Sequence, residues 1–189
     1  MYFGIFAERL PMLKFLLYAF HMLLKTVDSE IEKILKKLEI PDELWVSQWF
    51  ICFFTKVLSK EFLLRIFDYL MITDCFGLVN CAIAITLQLK PLFLSKDFSK
   101  IASNIQKLEN LDFKKFVKKI KSLEFSKQSK LNVLDSYMKK IKETDYLDFH
   151  FYYKSLYSHI KNSDSDYYDD FSILKYPEDY DSIPLYVLD

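Results

Sequence analysis

A chain of 189 residues is long enough for one domain with a hydrophobic core and needs no disulfide staples. It is 51% hydrophobic and 17% aromatic with only two glycines and five prolines, which leaves little room for the tight turns of an all-β fold and favours long helices. Basic and acidic residues balance at 26 each, which argues against a nucleic-acid partner. Cys52, Cys75 and Cys81 lie in apolar settings without zinc-finger spacing or a histidine pair, so free buried thiols in a reducing compartment are expected.

The first ten residues are aromatic-rich and lead to Leu10-Pro11, with proline suited to the first turn of a helix. Glu8 and Arg9 interrupt the apolar run, so no secretory signal is read here. An apolar helix is predicted over 12–24, interrupted by Lys14 and His21; His21 has no second ligand or carboxylate nearby in sequence and reads as a satisfied or solvent-tipped histidine rather than a catalytic one. Asp28 or Ser29 is expected to cap a second helix over 30–38, with Ile31, Ile34, Leu35 and Leu38 as its apolar stripe. Ile40-Pro41 ends it.

The stretch 44–70, LWVSQWFICFFTKVLSKEFLLRIFDYL, reads as the centre of the fold. Trp45, Trp49 and Phe53 repeat at i, i+4, as do Val46, Phe50 and Phe54, so one helix is predicted to run through Phe54 until a polar break from Lys56 to Lys60. Ser59 should cap the next helix with Glu61 in its first turn, turning Leu63, Ile66, Phe67 and Leu70 inward. Glu61, Arg65 and Asp68 share one angular sector, read either as an ion-pair cluster or as a contact to a neighbouring helix or partner. A core helix follows over 76–89, in which Ala82 and Ala84 permit close helix approach; its apolar run is shorter than the roughly 20 residues a bilayer span needs.

Three blocks here resemble the TBC domain of Rab GTPase-activating proteins: Gln48-Trp49-Phe50 with Phe54, Arg65-Ile66-Phe67-Asp68, and Cys81-Ala82-Ile83-Ala84. Phe67 stands where the family usually has tryptophan, and Asn80 where a basic residue is frequent. The resemblance is to the second half of that domain and covers 1–122. It implies an all-α fold, a cytoplasmic protein, peripheral at endomembranes, and a Rab-type small GTPase as partner in vesicle trafficking. Gln48, Trp49, Phe50, Arg65 and Asp68 are its family-motif positions, scaffolding or partner-facing.

Between Lys96 and Lys142 stand 13 lysines against five acids, a net +8, while apolar residues still recur at helical spacing. Three amphipathic helices with solvated lysine faces account for this; an anionic membrane surface is the alternative partner for the same faces. That stretch contains no arginine, which again argues against nucleic acid. Further helices packed on the first unit are expected over 123–160. The extension 161–189 is acidic and tyrosine-rich: eight acids against one lysine from residue 162 onward. It is expected either to fold back across the lysine faces, which its apolar residues favour, or to serve as an arm for another protein. Asp164, Asp166, Asp169 and Asp170 lack the ordered pattern of a calcium loop.

No phosphate-binding loop, nucleophile elbow or metal motif occurs, so no catalytic residue, cofactor or metal is assigned. The family accelerates GTP hydrolysis with an arginine and a glutamine beside the nucleotide, in motifs of the form I-x-x-D-x-x-R and Y-x-Q. Three residues before Arg9 and Arg65 stand Phe6 and Phe62, not aspartate. Two before Gln48, Gln88, Gln106 and Gln128 stand Val46, Thr86, Asn104 and Ser126, not tyrosine. The expectation is a single all-α domain of about eight helices with an acidic C-terminal extension, a GTPase regulator that does not activate hydrolysis alone. The alternative is a non-catalytic helical protein-interaction scaffold.

Overall fold

The computed structural model describes residues 2–105, 108, 111–123, 125–141 and 143–162. The expected fold-back of the acidic extension and its aspartate cluster lie outside them. Among the described residues there are ten α-helices and no strand, so the all-α expectation holds with two more helices than expected.

Helix α1 (Pro11–Val27) starts on Pro11, and Asp28 closes it while capping α2 (Ser29–Lys37), accepting from the backbone N–H groups of Glu30 and Ile31. A single-turn 3-10 segment, Asp42–Leu44, leads to α3 (Val46–Ile51). Then come α4 (Lys60–Ile72), capped by Ser59 as expected, and α5 (Phe76–Gln88). The short α6 (Lys90–Leu94) takes Pro91 in its first turn. Helices α7 (Phe98–Ile105), α8 (Phe113–Ser122), α9 (Lys127–Lys140) and α10 (Glu143–Asn162) complete the order.

The centre is not the stretch 44–70 but the pair α1 and α5. Every residue from Phe76 to Thr86 is buried, because α5 is covered by α1, α3, α4, α6 and α8 together. Ala82 and Ala84 are fully enclosed, as their size suggested. Gly77 is also enclosed; a Cβ there would lie 2.9 Å from Thr73 Cβ and closer still to its hydroxyl. On the other side of α1 sit α9 and α10, where Phe15 meets Tyr137 and Phe149 at ring distances of 5.5 and 5.2 Å.

Two expectations for 44–70 need correction. First, α3 spans only six residues and stops before Phe53. Phe53 and Phe54 both take left-handed backbone, φ 46° and 62°, and their N–H groups bond back to Phe50 and Trp49, a Schellman closure made without glycine. Leu38-Glu39-Ile40 closes α2 in the same way, with Glu39 at φ 53°. Second, α4 is rotated from its predicted face. Phe62, Ile66, Tyr69 and Leu70 are buried, while Leu63 and Phe67 are only half-covered. Leu64 and Met71 remain 49% and 83% exposed. Apolar residues on almost every side of α4 left the sequence pattern unable to fix its rotation.

Cys75 and Cys81 are buried free thiols, and Cys52 is a half-covered one. Burial pushes the Cys75 and Cys81 thiols well above their ordinary range, which makes them unreactive packing groups.

Candidate functional site

The family-motif residues divide by what they face. Trp49, 1% exposed, and Phe50 are in the core, whereas Gln48 on the opposite side of α3 is exposed. Trp45 sits edge-on to Trp49 at 4.8 Å and to Phe20 at 5.7 Å, and Phe93 closes the group from α6 at 6.0 Å. This aromatic cluster holds α3 rigidly against α1, and so fixes where Gln48 stands.

Arg65 and Asp68 are one helical turn apart on α4, but their surroundings differ. The Arg65 guanidinium lies 5.1 Å from the centre of the Phe113 ring on α8, a cation–π contact, and the side chain is half-buried. Phe113 is itself locked edge-on to Phe62 at 5.2 Å. Asp68 and Glu61 are exposed. Asn80, on buried α5, donates to the Tyr69 hydroxyl at 3.2 Å and is only 8% exposed. That position therefore offers little surface to a partner.

Exposed aromatic surface adjoins α4. Phe53 stacks near Phe67 at 6.5 Å, and Phe6, 61% exposed, follows at 6.3 Å from Phe53. Sequence reading missed this row because Phe53 was placed inside a helix. The signal that could have found it is the local one, two bulky residues before a polar break.

The remaining arginine, Arg9, is an exposed residue paired with Asp148 of α10 at 3.4 Å. Gln88 accepts from the Asp112 N–H at 3.1 Å through Oε1, and Gln128 donates to Asn132 at 2.8 Å. Each of these groups has a local structural contact. His21 is exposed on α1. Among the described residues there is no cluster of metal-ligating side chains, and no helix is long and apolar enough to cross a membrane.

Two interactions invisible to local reading fasten the later helices, one to the α4–α5 turn and one to each other. Asp74, in the α4–α5 turn, accepts from the Phe76 N–H at 2.8 Å and from Lys130 of α9 at 2.8 Å, with only 3% of its side chain exposed. On α10, Tyr153 donates to Asp135 of α9 at 2.8 Å, and this hydrogen bond, followed by burial, pushes its phenol up to about 12.

A groove of about 660 Å³ opens between the end of α5, α6 and α8. Its floor includes Leu89, Pro91, Leu108 and Leu111, and Lys115, Lys118 and Lys119 stand along the α8 side. Asp112 is also at the rim, 3.9 Å from the Lys115 ammonium. The Gln88 Nε2, at the same edge, is buried with no acceptor among the described residues.

In comparisons with known proteins, no curated protein and no solved structure matches the chain. A family model does: the Rab-GTPase-TBC domain matches residues 2–94, which takes in α1 to α6 and all five motif positions. Through that segment, with the motif blocks seated as described, residues 2–94 are similar to the TBC domain, consistent with a partial copy of it.

Proposed function

We propose that this chain is a TBC-type regulator of a Rab-type small GTPase that binds the GTPase without accelerating GTP hydrolysis by itself. The observation that carries the reading is a mismatch within one segment. Residues 2–94 match the Rab-GTPase-TBC domain, yet neither Arg9 nor Arg65 has the aspartate context of a finger motif, and no glutamine follows tyrosine at the finger spacing. The contacts of the two arginines agree with this, since Arg65 spans to the Phe113 ring and Arg9 to Asp148. An arginine finger must reach charge developing on the transferred phosphoryl group.

In this reading the chain carries the second half of the domain, with 1–122 as the TBC-like unit, the helices of 123–160 packed on it, and 161–189 as an acidic extension. Trp49 and Phe50 are scaffold residues, and Gln48 and Asp68 face the partner. The protein acts at cytosolic faces of endomembranes, where Rab-type GTPases control vesicle traffic.

The test is binding to a panel of Rab-type GTPases loaded with GTP or GDP. The reading expects at least one GTP-loaded form to bind tenfold or more tightly than its GDP form. Equal affinity for both states across the panel would overturn it in favour of a nucleotide-indifferent scaffold.

A further inference from the structure

The groove flanked by α8 joins an apolar floor to a cationic rim, and neither feature belongs to the family-motif positions. Leu89, Pro91, Leu108 and Leu111 offer contact surface, while among the described lining residues three exposed lysines stand against one carboxylate, Asp112. A ligand suited to such a groove has apolar or aromatic side chains interleaved with carboxylates. This chain contains such a segment. Residues 163–176 read SDSDYYDDFSILKY: four aspartates, three tyrosines, Phe171, Ile173 and Leu174 with one lysine.

We propose that the groove is a binding site for an acidic, aromatic peptide, and that its occupant is this chain's own segment 163–176. Reach permits it. Tyr176 stands 14 residues beyond Asn162 and can lie up to about 50 Å from it when the chain is extended, against a body roughly 40 Å across for about 160 folded residues, so the distal part of the segment has the reach. Charge favours it as well. The stretch from Lys96 to Lys142 carries net +8 and the extension from residue 162 net −7 (one lysine against eight acids), so seating one on the other reduces the self-repulsion of each. A carboxylate or carbonyl entering beside Gln88 would also give its Nε2 an acceptor. Occupied in this way, the groove is closed in cis to other acidic ligands, so the extension acts as its built-in competitor.

Carbodiimide coupling of the 189-residue chain, which joins contacting carboxylates and amines, tests the contact directly. The proposal expects links from Asp169 or Asp170 to Lys115, Lys118 or Lys119 within the monomer, with yield falling severalfold between 0.1 and 1 M NaCl as screening shortens from about 10 to about 3 Å. Links spread evenly over all surface lysines, or confined to a dimer (a second copy as occupant), would overturn it. A full chain that shows no such link and instead binds phosphatidylserine vesicles through these lysines would also overturn it. As a second measurement, a synthetic 163–176 peptide is titrated in trans. It should bind the D164N/D166N/D169N/D170N full chain at least tenfold more tightly than the parent. Adding K115E/K118E/K119E, all at exposed positions, should abolish that gain. Equal affinity for parent and variant, or no binding to either, would contradict the proposal.

Discussion

The segment 2–94 and the helices that follow it use the same kinds of residue to opposite ends. In α5 every side chain from Phe76 to Thr86 is enclosed, so the helix has no solvent face and its sequence has no charge. In α8 only Phe116 and Ile120 are buried, and the other faces are largely lysine. The first region is a core; the second is a cover laid over it, fastened at a few definable points. Those points are Phe113 and Phe116 against Phe62, Tyr137 and Phe149 against Phe15, and Lys130 on Asp74. Core and cover should therefore respond differently to substitution.

The largest effect is expected inside the core. Trp49→Ala removes the ring that locks Trp45 and Phe54 and should cost about 4 kcal/mol, a large share of the roughly 5–15 kcal/mol that holds a domain folded. Urea denaturation would read this as a lowered midpoint, and a loss under 1 kcal/mol would remove the core from the comparison. Next comes the fastener between the regions. Lys130→Met strands the buried Asp74 carboxylate and should cost about 3 kcal/mol, with Asp74→Asn added to it restoring part of the loss. If the double variant is no better than the single, the pair is not the coupling that joins cover to core.

A smaller, pH-dependent effect separates a contact within the first region. Burial alone would raise the Asp28 carboxyl, but the hydrogen bond from Lys90, at 2.7 Å, and those from the Ile31 and Glu30 N–H groups outweigh it and hold the group below its ordinary value. A depressed carboxyl contributes stability that is present above its unfolded value near 3.8 and is lost as pH falls through its folded value. Asp28→Ala should thus cost about 1 kcal/mol at pH 7, and the gap to the parent should narrow as pH falls below 3.8 and through the carboxyl's lower folded value. Arg65→Met should cost about 0.5–1 kcal/mol by removing the cation from the Phe113 ring, and hydrogen exchange in α8 should rise while that in α5 does not. Smallest, and opposite in sign, Glu39→Gly should raise stability by about 0.5 kcal/mol. It relieves a left-handed non-glycine at an exposed position, offset by the entropy glycine adds to the unfolded chain.

What could be read from sequence follows from how local each feature is. The cap at Ser59, the start of α1 at Pro11 and the close-packing alanines of α5 rest on neighbours in the chain and were legible, as was the cap of α2 to within the choice between Asp28 and Ser29. The end of α3 was not. Its closure uses two phenylalanines in left-handed backbone, where the usual signal is glycine, and a chain with two glycines rarely gives that signal. The same scarcity hid Glu39. Lys130 on Asp74 and Arg65 on Phe113 pair residues 56 and 48 positions apart, and no local pattern announces them. Of the motif positions, Trp49 and Phe50 were legible as core. That Asn80 is buried and bonded to Tyr69, while Gln48 and Asp68 are open, needed the packing.

Single-turnover GTP hydrolysis by Rab-type GTPases, with and without a saturating amount of this chain, is the most direct test of the central claim. A chain whose TBC-like segment binds but brings no finger motif to the nucleotide should leave the rate within about twofold of the intrinsic value for every GTPase that it binds. Acceleration approaching the 10³-fold or greater effect of a supplied arginine finger would contradict the account. It would make Arg9 and Arg65 the first residues to replace.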